Sequence, residues 1–84
     1  METENFKELL DKEYNWPAVY SFKFIVPLAS LEEARKLFGA GDFIEKPSKN
    51  GNYISLNAKM EMKDSEAVMG VYEEANKIKG LIAL

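Results

Sequence analysis

Two stretches of strict alternation constrain this chain more than anything else in it. Tyr20, Phe22, Phe24 and Val26 alternate with Ser21, Lys23 and Ile25. Further on, Ile54, Leu56, Ala58, Met60 and Met62 alternate with Tyr53, Ser55, Asn57, Lys59 and Glu61. A period of two sends successive side chains to opposite faces of a pleated strand, so each stretch has one apolar face and one mixed face. The aromatic-rich face has to be covered, while the mixed face can meet water, as in antiparallel sheets packed on one side only. With 84 residues there is room for one core, so a single domain over 1–84 is expected, of which 1–17 form an N-terminal arm.

The segments around these strands change period. Residues 4–13 read as a short amphipathic helix with Phe6, Leu9 and Leu10 on one side and Glu8 and Lys12 at i,i+4 spacing. Pro17 ends it, because the residue before a proline is pushed out of helical geometry. Pro27 closes the first strand. Ser30 and Glu33 have the spacing of a capping box, followed by Leu31, Ala34, Leu37 and Phe38 on a helical face and by Gly39 and Gly41 as stops. Residues 42–47 predict a second strand around Phe43 and Ile44, with Pro47 at its end. Asn50-Gly51 predicts a type I′ hairpin into the long third strand. Asp64 is placed to cap a second core helix carrying Val68, Val71, Tyr72, Ala75 and Ile78; Gly80 ends it, and residues 81–84 read as a final strand. The pairs Glu32 with Lys36 and Glu73 with Lys77 have i,i+4 spacing on solvated faces.

The resulting order is a helical arm followed by β-α-β-β-α-β. This is the split-βαβ, ferredoxin-like pattern: an α+β two-layer sandwich, its antiparallel sheet in the order 4-1-3-2 with the second and fourth strands at the edges.

Residue types absent from the chain narrow the chemistry. There is no cysteine and no histidine. That removes disulfides, thiolate metal sites and cysteine nucleophiles, together with imidazole ligands, Ser-His-Asp triads and the ordinary general base near neutral pH. On a ferredoxin-like sheet it also removes iron–sulfur and heavy-metal carriage. An acylphosphatase-like site needs an arginine in the loop after the first strand, and Arg35 lies well inside the helix. The adjacent acids Glu32-Glu33 and Glu73-Glu74 do not face each other on a helix. No catalytic, cofactor-binding or metal residue is assigned, and no enzyme is expected.

A net charge of -3 with no basic cluster argues against nucleic acid, whose phosphates supply most of the affinity of their binders. Tyr53 is the one aromatic on the mixed face of the third strand, too few for a base-stacking platform. The charge-broken residues 1–12 lack a signal-peptide core, and no apolar run approaches the roughly 20 residues of a membrane span. A cytoplasmic protein is expected.

Three surfaces stand out. The mixed sheet face of Ser21, Lys23, Ile25, Tyr53, Ser55 and Asn57 is a candidate partner or ligand surface. Lys46, Ser48 and Lys49 around the hairpin form a candidate anion site, with a solvated turn as the simpler reading. Tyr14 and Trp16 precede the first strand at a position to flank a groove under the arm; Met60, Met62 and Met69 fit as core filling.

The segment Lys46-Pro47-Ser48-Lys49-Asn50-Gly51-Asn52-Tyr53-Ile54-Ser55-Leu56 resembles the Lys-Pro-Ser…Gly-Asn-Tyr-x-Ser stretch of the YbeD-like family of small bacterial proteins. Phe6-Lys7-Glu8-Leu9-Leu10 ahead of Trp16-Pro17, and Val71-Tyr72-Glu73-Glu74 with Ile78, extend the likeness along the chain. The resemblance implies a βαββαβ fold similar to ACT regulatory domains, which bind small effectors such as amino acids, often as dimers. It implies no enzyme and no cofactor. Pro27 stands where the family often has glycine. The expected function is a small regulatory or adaptor module acting through protein contacts or self-association; the alternative is an ACT-like metabolite sensor with its site at a dimer interface.

Overall fold

The alternating stretch around Phe22 becomes β1, Ala18–Pro27, in a computed structural model that describes residues 3–39 and 41–84. Before it comes α1, Thr3–Glu13, and after it α2, Leu31–Arg35; then follow β2, Phe43–Pro47, β3, Tyr53–Met62, α3, Ser65–Asn76, and β4, Ile82–Ala83. The fold is α+β, with three helices and a four-stranded antiparallel open sheet in the order β2-β3-β1-β4, or β4-β1-β3-β2 from the other edge. β3 pairs with β1 over its whole length, from Ala18 opposite Met62 to Pro27 opposite Tyr53. β4 is far shorter: it pairs only Ala83 with Phe24 and Ile82 with Ile25, and Leu84 N–H donates to the Lys23 carbonyl at 2.9 Å.

The period-two pattern decides which side is covered. Phe22, Phe24, Val26, Leu56 and Ala58 are buried on the helix side, together with Phe38 from the turn after α2 and Val68 from α3. Phe24 stacks on Phe38 with ring centroids 6.0 Å apart, and Tyr72 of α3 meets Phe22 at 5.5 Å. Each such ring removed from water contributes about 1.5–3 kcal/mol, so this layer is the main source of stability. α3 starts where the sequence places it: Asp64 accepts the Ala67 N–H at 2.8 Å.

The arm folds back on the same side. Leu10 is buried, and Phe6 meets Tyr72 edge-on at 5.5 Å. Leu9 does not join them; it is 56% exposed, because the stripe of this helix that touches α3 is narrower than the apolar spacing suggests. The i,i+4 ion pair on α1 is Lys7–Asp11 instead of Glu8 with Lys12. Asp11 also accepts the Trp16 indole N–H at 2.9 Å, and Tyr14 stacks on Trp16 at 5.4 Å. Hydrogen bonding from Ser65 first, then Trp16 and Lys7, holds the Asp11 carboxyl below the usual range, so the charged form fastens the arm.

Three local expectations are corrected, while the first core helix is short, as its glycine stops predict. Ser30 occupies the cap position of α2, but its hydroxyl makes no cap bond; it donates to the Lys79 carbonyl at 2.9 Å and ties the start of α2 to the turn between α3 and β4. The first core helix has only five α-helical residues between two 3-10 turns, Leu28–Ser30 and Lys36–Phe38. The hairpin is not type I′. Gly51 has φ +74, but among the described residues no non-glycine has positive φ, so Asn50 does not supply the second left-handed position. A longer connection forms instead, with Gly51 N–H donating to Ser48 O and Ser48 N–H to Tyr53 O. Finally, the surface ion pairs sit at i,i+3, Arg35 with Glu32 and Lys77 with Glu74, because Arg35 is drawn toward β2 and Lys77 lies past the end of α3.

Two glycines make opposite demands. Gly80 turns the chain into β4 with φ +80, and a β-carbon there would stand 2.6 Å from Pro27 Cγ. Gly70 sits within α3 with nothing within 4 Å of a built β-carbon. Gly80→Ala is therefore expected to cost about 1–3 kcal/mol, and Gly70→Ala to stabilise by about 0.5–1 kcal/mol. Urea unfolding of both variants checks this; equal effects of the same sign would contradict the assigned backbone.

Candidate functional site

The outward parity of β1 and β3 gathers the predicted surface residues on one face. Register places Lys23 beside Asn57, Ile25 beside Ser55 and Pro27 beside Tyr53. Ser21, Lys23 and Tyr53 are exposed, and Ile25, Ser55 and Asn57 are half-buried among their neighbours. The flanking strands add residues that the notion of a polar face does not anticipate. Ile44 lies beside Asn57 and is 71% exposed; Ile82 lies beside Ile25 and is 52% exposed. With Val19 and Tyr53 they make a broken apolar surface that no described element covers. Its charges are Lys23, Lys46 and Lys59 against Glu61 and Asp42, the last lining a hollow with Lys23, Ile44 and Lys59, a slight basic excess on a chain whose net charge is -3.

The predicted anion site at the hairpin is not assembled as a receptor. Lys46, Ser48 and Lys49 are all exposed. The Ser48 hydroxyl accepts the Tyr53 N–H at 3.3 Å, and the Ser48 and Gly51 amides are spent inside the turn. The Lys46 carbonyl accepts the Ser55 hydroxyl at 3.2 Å. These contacts fasten the turn and its edge strand.

Arg35 is equally committed. Its Nε donates to Glu45 Oε2 at 2.6 Å and its Nη2 to Glu45 Oε1 at 2.9 Å, a fork that pins α2 to the inward side of β2. Hydrogen bonding from Arg35 holds the Glu45 carboxyl below its ordinary value, and Glu45 pushes the guanidinium further up. Among the described residues no acidic group is large enough to hold a metal ion. No helix among them is long and apolar enough to cross a membrane.

A second feature lies on the helix side and joins residues distant in sequence. Phe6 of α1, Tyr20 of β1, Met69, Tyr72, Glu73 and Asn76 of α3, with Ala83 and Leu84, line a cleft of about 510 Å³. Tyr20 and Tyr72 share a hydrogen bond of 3.0 Å in which either hydroxyl donates. Burial first, and then that bond, push the Tyr72 hydroxyl well above the usual phenol range, so it stays neutral and acts as a hydrogen-bonding group. The groove expected beside Tyr14 and Trp16 is thus displaced: those rings clasp the arm, and Phe6 and Tyr20 border the opening. The loop after β1 is a tight 3-10 turn whose Ser30 hydroxyl is already bonded.

No protein-family model, no curated protein and no solved structure matches the chain.

The Arg35–Glu45 fork has a pH signature. The unfolded carboxyl titrates near 4.5, and the folded one lies lower. Stability from the fork is therefore complete above about pH 4.5 and is lost as the pH falls through the folded value. The stability gap between the parent and Glu45→Gln, followed by urea unfolding, should hold from neutral pH to about pH 5 and shrink below about pH 4. A gap that persists unchanged at lower pH would assign it to shape alone.

Proposed function

We propose that this chain is a small protein-binding module, regulatory or adaptor in role, that works through the outer face of its sheet. A face of Val19, Ile25, Ile44, Tyr53 and Ile82, left uncovered by all three helices, is the observation that carries the reading. Lys23, Lys46 and Lys59 around that apolar surface suit a partner with acidic residues at the rim of its own patch, since complementary charge steers encounter and fixes register. Helices on one side of a four-stranded antiparallel sheet support a ferredoxin-like assignment. The residue pattern of 46–56 supports kinship with the YbeD-like family, and a cytoplasmic location belongs to the same reading. The alternative, an ACT-like sensor, draws no support from the closed turn after β1.

A double variant, Ile25→Asp with Tyr53→Ala, tests the face. Both residues sit outside the buried layer, so thermal unfolding should shift by only a few degrees. Affinity purification with quantitative mass spectrometry is expected to recover partners with the parent chain that the double variant loses. Equal recovery by both chains removes the sheet face from consideration. Binding of single-stranded RNA to the parent, lost in the variant, would replace the protein partner by a nucleic acid.

A further inference from the structure

Strand register arranges part of the outer face as two short rows of side chains. In one row Ser21 of β1 stands opposite Lys59 of β3, and Asp42, the residue before β2, continues the row beyond Lys59. In the next row Asn57 of β3 lies between Lys23 of β1 and Ile44 of β2. Strands about 4.8 Å apart, with a side-chain repeat of about 6.6 Å along each, give a patch of roughly 10 by 7 Å. Ser21 and Asn57 are short and Lys23, Ile44 and Lys59 are long, so the patch is hollow. The backbone of Phe22 and Ala58, whose side chains are buried in the core, completes a floor beneath about 360 Å³. That volume lies near the lower bound of ligand pockets, about 300 Å³.

The polar groups of this hollow are unspent. At the hairpin the Ser48 hydroxyl and the turn amides bond to one another, and Lys7, Arg35 and Lys77 are held in ion pairs. Among the described residues, nothing engages the side chains of Ser21, Lys23, Asp42, Asn57 or Lys59 in a hydrogen bond or ion pair. Asn57 is half-buried, so its free amide is partly withdrawn from water. The charges are also ordered. Asp42 occupies one corner and Lys23 the corner diagonal to it, with Lys59 between Asp42 and Ser21.

We infer that this hollow anchors the partner of the outer face and takes an acidic-aromatic step of that protein. A tryptophan or tyrosine ring lies across Ile44 and the lysine stems, where the ammonium groups meet its face. The carboxylate of the neighbouring acid is held by Lys23 and Lys59, and the ring N–H or O–H donates to Asp42. This chain already makes such a bond, from the Trp16 indole to Asp11 at 2.9 Å. A polyanion is disfavoured by Asp42 inside the hollow. A second copy is disfavoured because its own aromatic-acidic stretch, Asp11 to Trp16, is engaged in the arm. The inference rests on the reading of the outer face as a protein-binding surface and names the chemistry of the partner at its anchor.

The test is an amide NMR titration of the full chain with a capped serine-glycine peptide carrying aspartate beside tryptophan. Shifts at Ser21, Lys23, Ile44, Asn57 and Lys59 are expected, with none at Phe6 or Tyr72. Binding should weaken at least about tenfold when lysine replaces the peptide aspartate, or when alanine replaces its tryptophan. Lys23→Glu with Lys59→Glu, both at exposed positions, should reverse the preference between the aspartate and lysine peptides. No shift on these strands, or equal binding of the two peptides, overturns the anchor. Concentration-dependent broadening of the same amides without peptide assigns the hollow to a second copy instead. In the affinity purification, partners lost by the Ile25→Asp, Tyr53→Ala variant but kept by the lysine-reversed variant leave the outer face standing and overturn the hollow. Partners lost by neither remove the face itself.

Discussion

A strand that carries Tyr20, Phe22, Phe24 and Val26 on one face has to be roofed, and the rest of the molecule is arranged around that requirement. Phe22 and Phe24 are fully buried, and they are reached from above by Phe38 and Tyr72. α2 and α3 cover the middle and far end. At the near end, Tyr20 meets Tyr72 of α3 on one side, and the arm closes over the rest of it through Tyr14, with Phe6 across the cleft. This gives α1 its place: without it the most exposed ring of β1 would meet water. Asp11 then fixes the arm by joining Trp16, Lys7 and the start of α3.

Covering one face by helices leaves the other face bare, and the two candidate surfaces arise from this asymmetry. The outer face is bare because its side chains have the opposite parity. At the edge, β4 pairs only with the second half of β1, and among the described strands the first half pairs with β3 alone. Two edges remain in the sheet, but they differ. β2 is protected by Pro47, by exposed Lys46 and by a hairpin that consumes its own amides. The first half of β1 borders the aromatic cleft through Tyr20.

Much of the architecture was legible because it depends on local signals. Alternation gave the facing of β1 and β3, Asp64 gave the start of α3, and Gly80 gave the turn into β4. What escaped depends on contacts across the chain. Ser30 has the spacing of a cap, but its hydroxyl bonds to Lys79, 49 residues away, and the short α2 leaves no helix for a capping box to stabilise. Arg35 favours Glu45 on β2 over a helical partner alone because the fork satisfies two of its donors at once. Asn50-Gly51 names a turn type, but the loop length is set by where Pro47 and Tyr53 fall in the β2–β3 register. The cleft joins Phe6, Tyr20, Tyr72 and Leu84, so no stretch of sequence announces it. The outer face was legible only in part for the same reason: Ile44 and Ile82 join it through strand register, which only the assembled sheet supplies.

Residue-resolved hydrogen exchange on the unliganded chain tests the arrangement of β1 most directly. Tyr20 and Phe22 amides, bonded to β3, are expected to exchange slowly, in step with Phe24. Val19 and Ser21 amides, which bond to no described strand, should exchange far faster than these neighbours, whereas Ile25, opposite Ile82, should be protected. Uniform protection from residue 19 to residue 25 would contradict this alternation, and with it the register that puts Tyr20, Phe22 and Phe24 on one covered face.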